Sequence, residues 1–149
     1  MLLVFRLKDF IASYISFLSQ VKNNVIHGYF TRILYSDPLV STKGIYLDVS
    51  ILQSNGLVED DHKKETPHNA DNSPNITTDF LHQIIQIEKD ILEKYQCSKS
   101  PKYVLQERII EQRCFKANIN KHVKLILKIS GVWETDTSYG LAYKFIELN

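Results

Sequence analysis

Hydrophobic residues follow two spacings in this chain, one typical of helices and one typical of strands. Near the N-terminus, apolar positions recur every three or four residues from Leu7 to Val21, which predicts an amphipathic helix. Leu3, Phe5 and Leu7 also alternate, so a short strand stays open as the alternative for the first residues. The pattern therefore predicts that the fold begins with an N-terminal helix.

Two segments with strand-like composition follow this predicted helix. Residues 25–36 are rich in β-branched and aromatic side chains and end at a turn sequence containing Pro38. Residues 43–52 alternate strictly and place Ile45 on the same face as the other aliphatic side chains. We expect two strands that pair as neighbours through the connection at 37–42.

The middle of the chain changes composition sharply. Residues 53–77 contain almost no apolar side chains and are full of Asn, Asp, Gly, Pro and charged residues, which predicts a flexible acidic loop. Residues 77–95 begin with a Thr/Asp cap and carry apolar side chains at helical spacing, which predicts a second helix. Residues 103–115 predict a shorter helix, although their β-branched content leaves a strand possible.

The last segment predicts a β-hairpin with a polar loop. On its first strand the buried face is expected to hold Val123, Leu125, Leu127 and Ile129, and the opposite face Lys124, Ile126, Lys128 and Ser130. The orientation of Trp133 depends on whether this alternation continues. An unbroken strand places Trp133 on the core side, whereas a bulge at residues 130–131 turns it outward.

The order of predicted elements is helix, two strands, flexible loop, two helices and two strands. It predicts an α+β fold with an antiparallel sheet, and a length of 149 residues fits a single domain, 1–149.

Charge and cysteine content narrow the function classes. The net charge is only +1, yet residues 59–93 hold nine acidic and three basic residues, so the rest has 15 basic and 8 acidic residues. This imbalance predicts a basic face.

Cys97 and Cys114 lack the spacing of a metal site or a disulfide framework, and neither a metal nor a small-molecule cofactor is expected. Charges interrupt the apolar N-terminus early, so we expect an intracellular, reducing location and no membrane partner.

Catalytic motifs do not appear in the sequence. It lacks a glycine-rich phosphate loop, a nucleophile elbow and a zinc-protease motif, and His27 and His122 are isolated on predicted strands. The sequence therefore predicts a protein that is not an enzyme.

Aromatic and basic residues are interleaved along the predicted strands. Proteins that bind single-stranded nucleic acids use this mixture, because cations follow the phosphates and aromatic rings stack on bases. The same aromatics could instead fill the core, and the lysines could protect sheet edges. The candidate phosphate contacts are Arg32, Lys43, Lys124, Lys128 and Lys144, and the candidate stacking residues are Tyr29, Tyr35, Tyr46, Trp133 and Tyr143.

Two segments resemble single-stranded-DNA-binding OB-fold proteins of large DNA viruses and phages. In the terminal segment, "SGVW" is followed six residues later by "YGLAYKFIEL", and the matching positions are Trp133, Gly140, Leu141, Ala142, Tyr143 and Lys144. The pair "GYFTRILYSD" and "STKGIYLDV" is similar to the opening strands of such proteins. This resemblance implies an OB-like barrel with inserted helices and a role in viral DNA replication.

The function expected from the sequence is binding of single-stranded DNA or RNA without catalysis, and the ligand is expected to be DNA. The alternative is an interaction or scaffold module that self-associates into a homo-oligomer through a sheet edge or the N-terminal helix.

Overall fold

The protein is described here by a computed structural model that covers residues 3–23, 25, 27–50, 76–111 and 124–148. These residues form two α-helices and eight strands, which confirms the α+β class. The helices are α1 (Ile76–Tyr95) and α2 (Val104–Glu111). The strands are β1 (Phe5–Arg6), β2 (Ile15–Asn23), β3 (Gly28–Ser36), β4 (Ser41–Lys43), β5 (Ile45–Asp48), β6 (Ser100–Lys102), β7 (Lys124–Glu134) and β8 (Ser138–Leu148).

The predicted acidic loop falls almost entirely outside the described residues. Its last two residues, Ile76 and Thr77, are helical and begin α1.

The described strands form one open sheet built around β7. One edge of β7 pairs first with β5 and then with β3, while the other edge pairs with β8 over its whole length. Beyond these, β1 pairs with β5, β2 and β4 with β3, and β6 with β8. The β1–β5 and β6–β8 pairs are parallel, and the others are antiparallel. The sheet is therefore mixed, with a dominant antiparallel part.

The terminal hairpin β7–β8 confirms the prediction for the last segment from residue 124 onward, and Val123 lies outside the described residues. The two earlier strands also exist, but their predicted pairing is only partly right. The short strand β4 returns along β3, and then Gly44 adopts a φ of +83° while its N–H donates to the carbonyl of Ile33 at 2.8 Å. This left-handed conformation, which favours glycine, carries the chain from the edge of β3 to the edge of β7. The longer strand β5 therefore pairs with β7.

The predicted N-terminal helix is wrong. Residues Leu7–Asp9 and Ala12–Tyr14 form single 3₁₀ turns, and Ile15–Asn23 forms β2 along β3. The segment contains many β-branched and aromatic residues, and β3 offers a partner edge along most of its length. Strand pairing therefore overrides a spacing that suits a helix. The short strand β1 agrees with the alternative expected for the first residues.

The predicted second helix is confirmed. The predicted shorter helix is confirmed over Val104–Glu111, and its residues 112–115 lie outside the described ranges. Both helices cover one face of the sheet. The apolar side of α1 buries Ile84 and Ile91 completely, and α2 adds Leu105. These side chains form one cluster with buried residues of the sheet, which are Ile15, Ile33, Tyr35, Ile45, Leu47, Leu125, Leu127, Ile129, Val132, Tyr139 and Leu141. We call this side of the sheet the core face.

A buried carboxylate joins the two helices. Glu88 of α1 has no exposed surface, and its oxygens accept hydrogen bonds from the backbone N–H groups of Leu105 and Gln106, both at 2.9 Å. These donors lie in the first turn of α2, where backbone N–H groups lack partners within the helix. Burial raises the pKa of Glu88, and the two hydrogen bonds oppose that shift.

Candidate nucleic-acid interface

The face of the sheet opposite the helices carries most of the predicted binding residues, and we call it the outer face. Residues paired directly across antiparallel strands point to the same face, so the register defines its rows. One row contains Tyr46, Lys128 and Lys144, the next contains Arg32, Gly131 and Ala142, and a third contains Val21, Phe30, Trp133 and Gly140.

The first of these rows, the lysine row, concentrates positive charge. Lys128 and Lys144 lie directly opposite each other, and Nζ of Lys128 lies 5.5 Å from the centre of the Tyr46 ring. Arg32 and Lys43, both exposed, add charge on β3 and β4. Like charges directly opposite in a sheet are destabilising. An arrangement that places cations together on an accessible surface is suited to an anionic ligand.

The third row, the aromatic row, places Trp133 opposite Phe30. A bulge between Ile129 and Gly131 reverses the alternation of β7, so Val132 is buried and Trp133 faces outward. The sequence had left this orientation open, and the bulged alternative is correct. Trp133 is half-buried, and its Nε1 donates to the carbonyl of Leu141 at 3.0 Å.

Two glycines form the floor under these rings. A Cβ added at Gly140 would lie 2.6 Å from Cζ2 of Trp133, and one added at Gly131 would lie 2.7 Å from Cζ of Phe30. Each ring therefore occupies the space that a side chain at Gly140 or Gly131 would fill. The absence of these two side chains lets both rings lie close to the sheet.

The outer face is not open along its whole length. Next to the lysine row, on the side away from the aromatic row, lie Asp48, Ile126 and Ile146. Ile126 has no exposed surface although it points away from the core face. Lys124, one row further on, is exposed. The accessible outer face is thus interrupted at Ile126.

Seven of the ten predicted binding residues share this outer face. They are Arg32, Lys43, Tyr46, Lys124, Lys128, Trp133 and Lys144. The other three, Tyr29, Tyr35 and Tyr143, point to the opposite side of their strands.

Tyr35 and Tyr143 belong to the core side, which corrects their predicted exposure. Tyr35 is 2% exposed, its ring packs against Phe5 and Phe10, and its hydroxyl accepts a hydrogen bond from the backbone N–H of Ile11. Tyr143 is half-buried against the core cluster, and burial raises its pKa. Neither ring is presented on the outer face.

Tyr29 is 44% exposed but lies at the end of β3 on the side of the core face. It is opposite Glu134, so the structure does not bring it together with Trp133.

Phe30 is an aromatic residue of the outer face that the predicted site omitted. A signal for it was present, because Phe30 and Arg32 are two residues apart and must share a face of a regular strand. By the same rule Tyr29 and Tyr35 must point to the other face, and Lys144 cannot share a face with Tyr143. The contribution of Gly131 and Gly140 had no comparable signal, since it depends on cross-strand register.

A polar cluster lies behind Trp133 on the core side of the strand end. Glu134 accepts hydrogen bonds from Tyr95 at 2.7 Å, from Lys99 at 2.7 Å and from Gln20 at 3.1 Å. The Tyr95 hydroxyl is also 3.2 Å from the Thr31 hydroxyl. The bond from Lys99 is the main reason that the pKa of Glu134 is lowered. The cluster ties the ends of α1 and β7 to β2 and β3.

The described ranges contain no grouping of three or more His, Cys, Asp and Glu side chains able to hold a metal ion. No helix in those ranges has the length and apolarity needed to cross a membrane.

Comparison of the chain with protein-family models, with curated protein sequences and with solved structures finds no match. Fold and site thus define the chain as an α+β protein whose open sheet has helices on one face and a basic, aromatic surface on the other.

Proposed function

We propose that the protein binds single-stranded nucleic acid, with DNA as the expected ligand, on the outer face and without catalysis. The observation that carries this proposal is the adjacency of the lysine row and the aromatic row on one accessible face. In such a site Lys128, Lys144 and Arg32 attract the phosphates, while Trp133 and Phe30 offer rings for unpaired bases.

The geometry favours an unpaired strand over a duplex. Bases inside a duplex are stacked on one another and cannot reach a ring that lies low on a sheet. The Trp133 and Phe30 rings lie close to the glycine floor, where a flexible strand with exposed bases can approach them. Stacking of this kind tolerates any base, so the proposed recognition does not depend on sequence.

An OB-like barrel of the kind found in viral and phage replication proteins is part of this proposal. The two segments that carry the resemblance form the terminal hairpin β7–β8 and the strands β3, β4 and β5. A crystal structure of residues 1–149 bound to oligo-dT tests this part by showing whether the sheet closes into a barrel.

Fluorescence titration tests the proposed function, because Trp133 is the only tryptophan of the chain. We expect oligo-dT to quench its emission and the affinity to fall steeply as salt rises, since bound phosphates release counterions. Lys128→Glu is expected to weaken binding by about tenfold or more, whereas Lys89→Glu, an equal charge change at an exposed position of α1, has little effect. Binding that is insensitive to salt, or equally weakened by both variants, would contradict the proposal.

The scaffold alternative has one structural observation in its favour. Among the described residues β2 pairs only with β3, so its other edge is unpaired and carries exposed Leu18 and Val21. Such an edge is able to add a strand from a second molecule. Self-association through an N-terminal helix is no longer part of this alternative. Sedimentation of the free protein at several concentrations separates it from the primary proposal.

A further inference from the structure

The proposed binding surface has a definite end. Along β7 the rows on the outer face run from Trp133 to Lys128, then to Ile126 and then to Lys124. Ile126 has no exposed surface, while Asp48 and Ile146 on either side of it are half-buried. The row therefore offers a ligand little surface, and its one charged side chain is acidic, which disfavours a phosphate there. The half-buried Trp133 and the exposed Lys124 therefore lie on opposite sides of a row whose central residue is buried.

We infer that the outer face takes a short unpaired segment of about four stacked nucleotides and that Lys124 lies outside the site. This inference rests on the proposed function. Between Trp133 and Lys128 the strand advances by about four regular steps, because Ser130 is the bulged residue, and about 3.3 Å per step gives ~13 Å. Stacked nucleotides follow one another at about 3.4 Å, so about four fit this length, and fewer fit if the strand is extended.

The order of the rows also orients the ligand. Bases stack at one end on Trp133 and Phe30, and the backbone meets Lys128 and Lys144 at the other. Arg32 lies in the row between them and is exposed. The bound segment therefore runs along β7, and its length is limited by the Ile126 row.

A length series tests the size of the site. We expect the affinity for oligo-dT, read from Trp133 fluorescence, to rise up to about four nucleotides and then to grow only in proportion to the number of binding positions on a longer strand. An oligo-dT of about 20 nucleotides should then hold several copies of the protein, measured by sedimentation. A tenfold gain between about 6 and 12 nucleotides, with one copy bound to the longer strand, would overturn the inference.

Two lysines on adjacent strands of the outer face provide a matched comparison. Lys144 and Lys124 are both exposed, but only Lys144 lies on the same side of the Ile126 row as Trp133 and Phe30. Lys144→Ala should weaken binding to an oligo-dT of about 6 nucleotides by about fivefold and reduce the slope of log affinity against log salt by about 0.7. Lys124→Ala should leave both quantities unchanged.

Equal losses in the two variants would overturn the short site while leaving single-strand binding in place. If the unmodified protein does not bind oligo-dT at any length tested, the proposed function fails and the inference fails with it. The two failures are thus distinguishable in one set of titrations.

Discussion

The two faces of the sheet are made by alternate residues of the same strands, yet they have opposite character. On the core face, Ile33, Leu127 and Val132 are fully buried under the two helices. On the outer face, the neighbouring positions hold Arg32 and Lys128. Along each strand, residues that stabilise the fold therefore alternate with residues that carry the proposed recognition.

The largest contrast between the faces should appear when an apolar side chain is shortened. Ile91→Ala leaves a cavity between α1 and the core face, and we expect the free energy of unfolding to fall by about 4 kcal/mol. Val21→Ala on the outer face should change it by less than about 0.5 kcal/mol, because Val21 is 54% exposed. Urea denaturation measures both, and similar losses would contradict the division.

Gly131 lies on the outer face, yet its substitution is expected to lower the free energy of unfolding. In Gly131→Ala the new Cβ would lie 2.2 Å from the backbone oxygen of Thr31 and would also displace the Phe30 ring. We expect a loss of about 3 kcal/mol from overpacking. Ala142→Gly, a change in the same row that removes a Cβ, is the control and should cost about 1 kcal/mol or less. Thermal unfolding tests the difference, and equal stability of Gly131→Ala and the parent would show that the floor can adjust.

The buried link between the helices tests how much of the core face depends on a polar contact. Glu88→Ala leaves the N–H groups of Leu105 and Gln106 without their acceptor, so we expect a loss of about 2 kcal/mol. The matched change Gln86→Ala removes an exposed hydrogen bond to Asp90 on the same helix and should cost less than about 0.5 kcal/mol. A small loss of stability in Glu88→Ala would mean that water replaces the carboxylate as the acceptor of these hydrogen bonds.

The polar cluster behind Trp133 should make stability depend on pH. The pKa of Glu134 lies below its ordinary value of 4.5, so its stabilising contribution is complete above that pH and is lost as the pH falls further. Glu134→Gln should therefore cost about 1.5 kcal/mol at pH 7 and progressively less below pH 4.5.

Glu88 provides the control of opposite sign. Its pKa is raised, so its contribution is largest at low pH and declines as the pH rises through the folded-state pKa. Urea denaturation at several pH values measures both effects. As the pH falls, the loss of unfolding free energy caused by Glu134→Gln should shrink, whereas the loss caused by Glu88→Gln should grow. A deficit of Glu134→Gln that is constant with pH would contradict the role of its charge.

The smallest effect on stability is expected at the lysine row. Lys144→Ala removes one of two like charges that lie opposite each other, so stability should stay unchanged or rise by a few tenths of a kcal/mol. The same variant is expected to lose affinity for oligo-dT. A marked loss of stability would instead mean that the lysine stem packs as part of the fold.

Much of the local structure could be predicted from sequence, and the exceptions are instructive. The helical spacing of residues 77–95 and the alternation of residues 124–129 each suit one element, and both predictions are confirmed. Residues 7–21 suit a helix in spacing and a strand in composition. Residues 15–23 form a strand because they pair with the edge of β3. A local pattern of residues contains no information about a pairing partner that is distant in sequence.

The candidate site was predictable in part for the same reason. The outward orientation of Lys124 and Lys128 follows from alternation, whereas Tyr35 was misplaced because an aromatic residue on a strand suits both a core and a binding face. Its burial reflects the packing of Phe5 and Phe10 from the irregular N-terminal segment. Trp133 needed the bulge at Ser130, which the sequence suggested but did not decide.

Periodicity within a short segment is enough to predict α1, α2 and the terminal hairpin, and the alternation of β7 is enough to place Lys124 and Lys128 on the face opposite the core. Tertiary contacts are needed for the strand state of residues 15–23, the crossing at Gly44 and the register that sets Trp133 over Gly140. Each of these depends on which edge or backbone a distant segment meets. Such contacts are selected by the packing of the whole sheet, and their free energy is not encoded in any single stretch of residues.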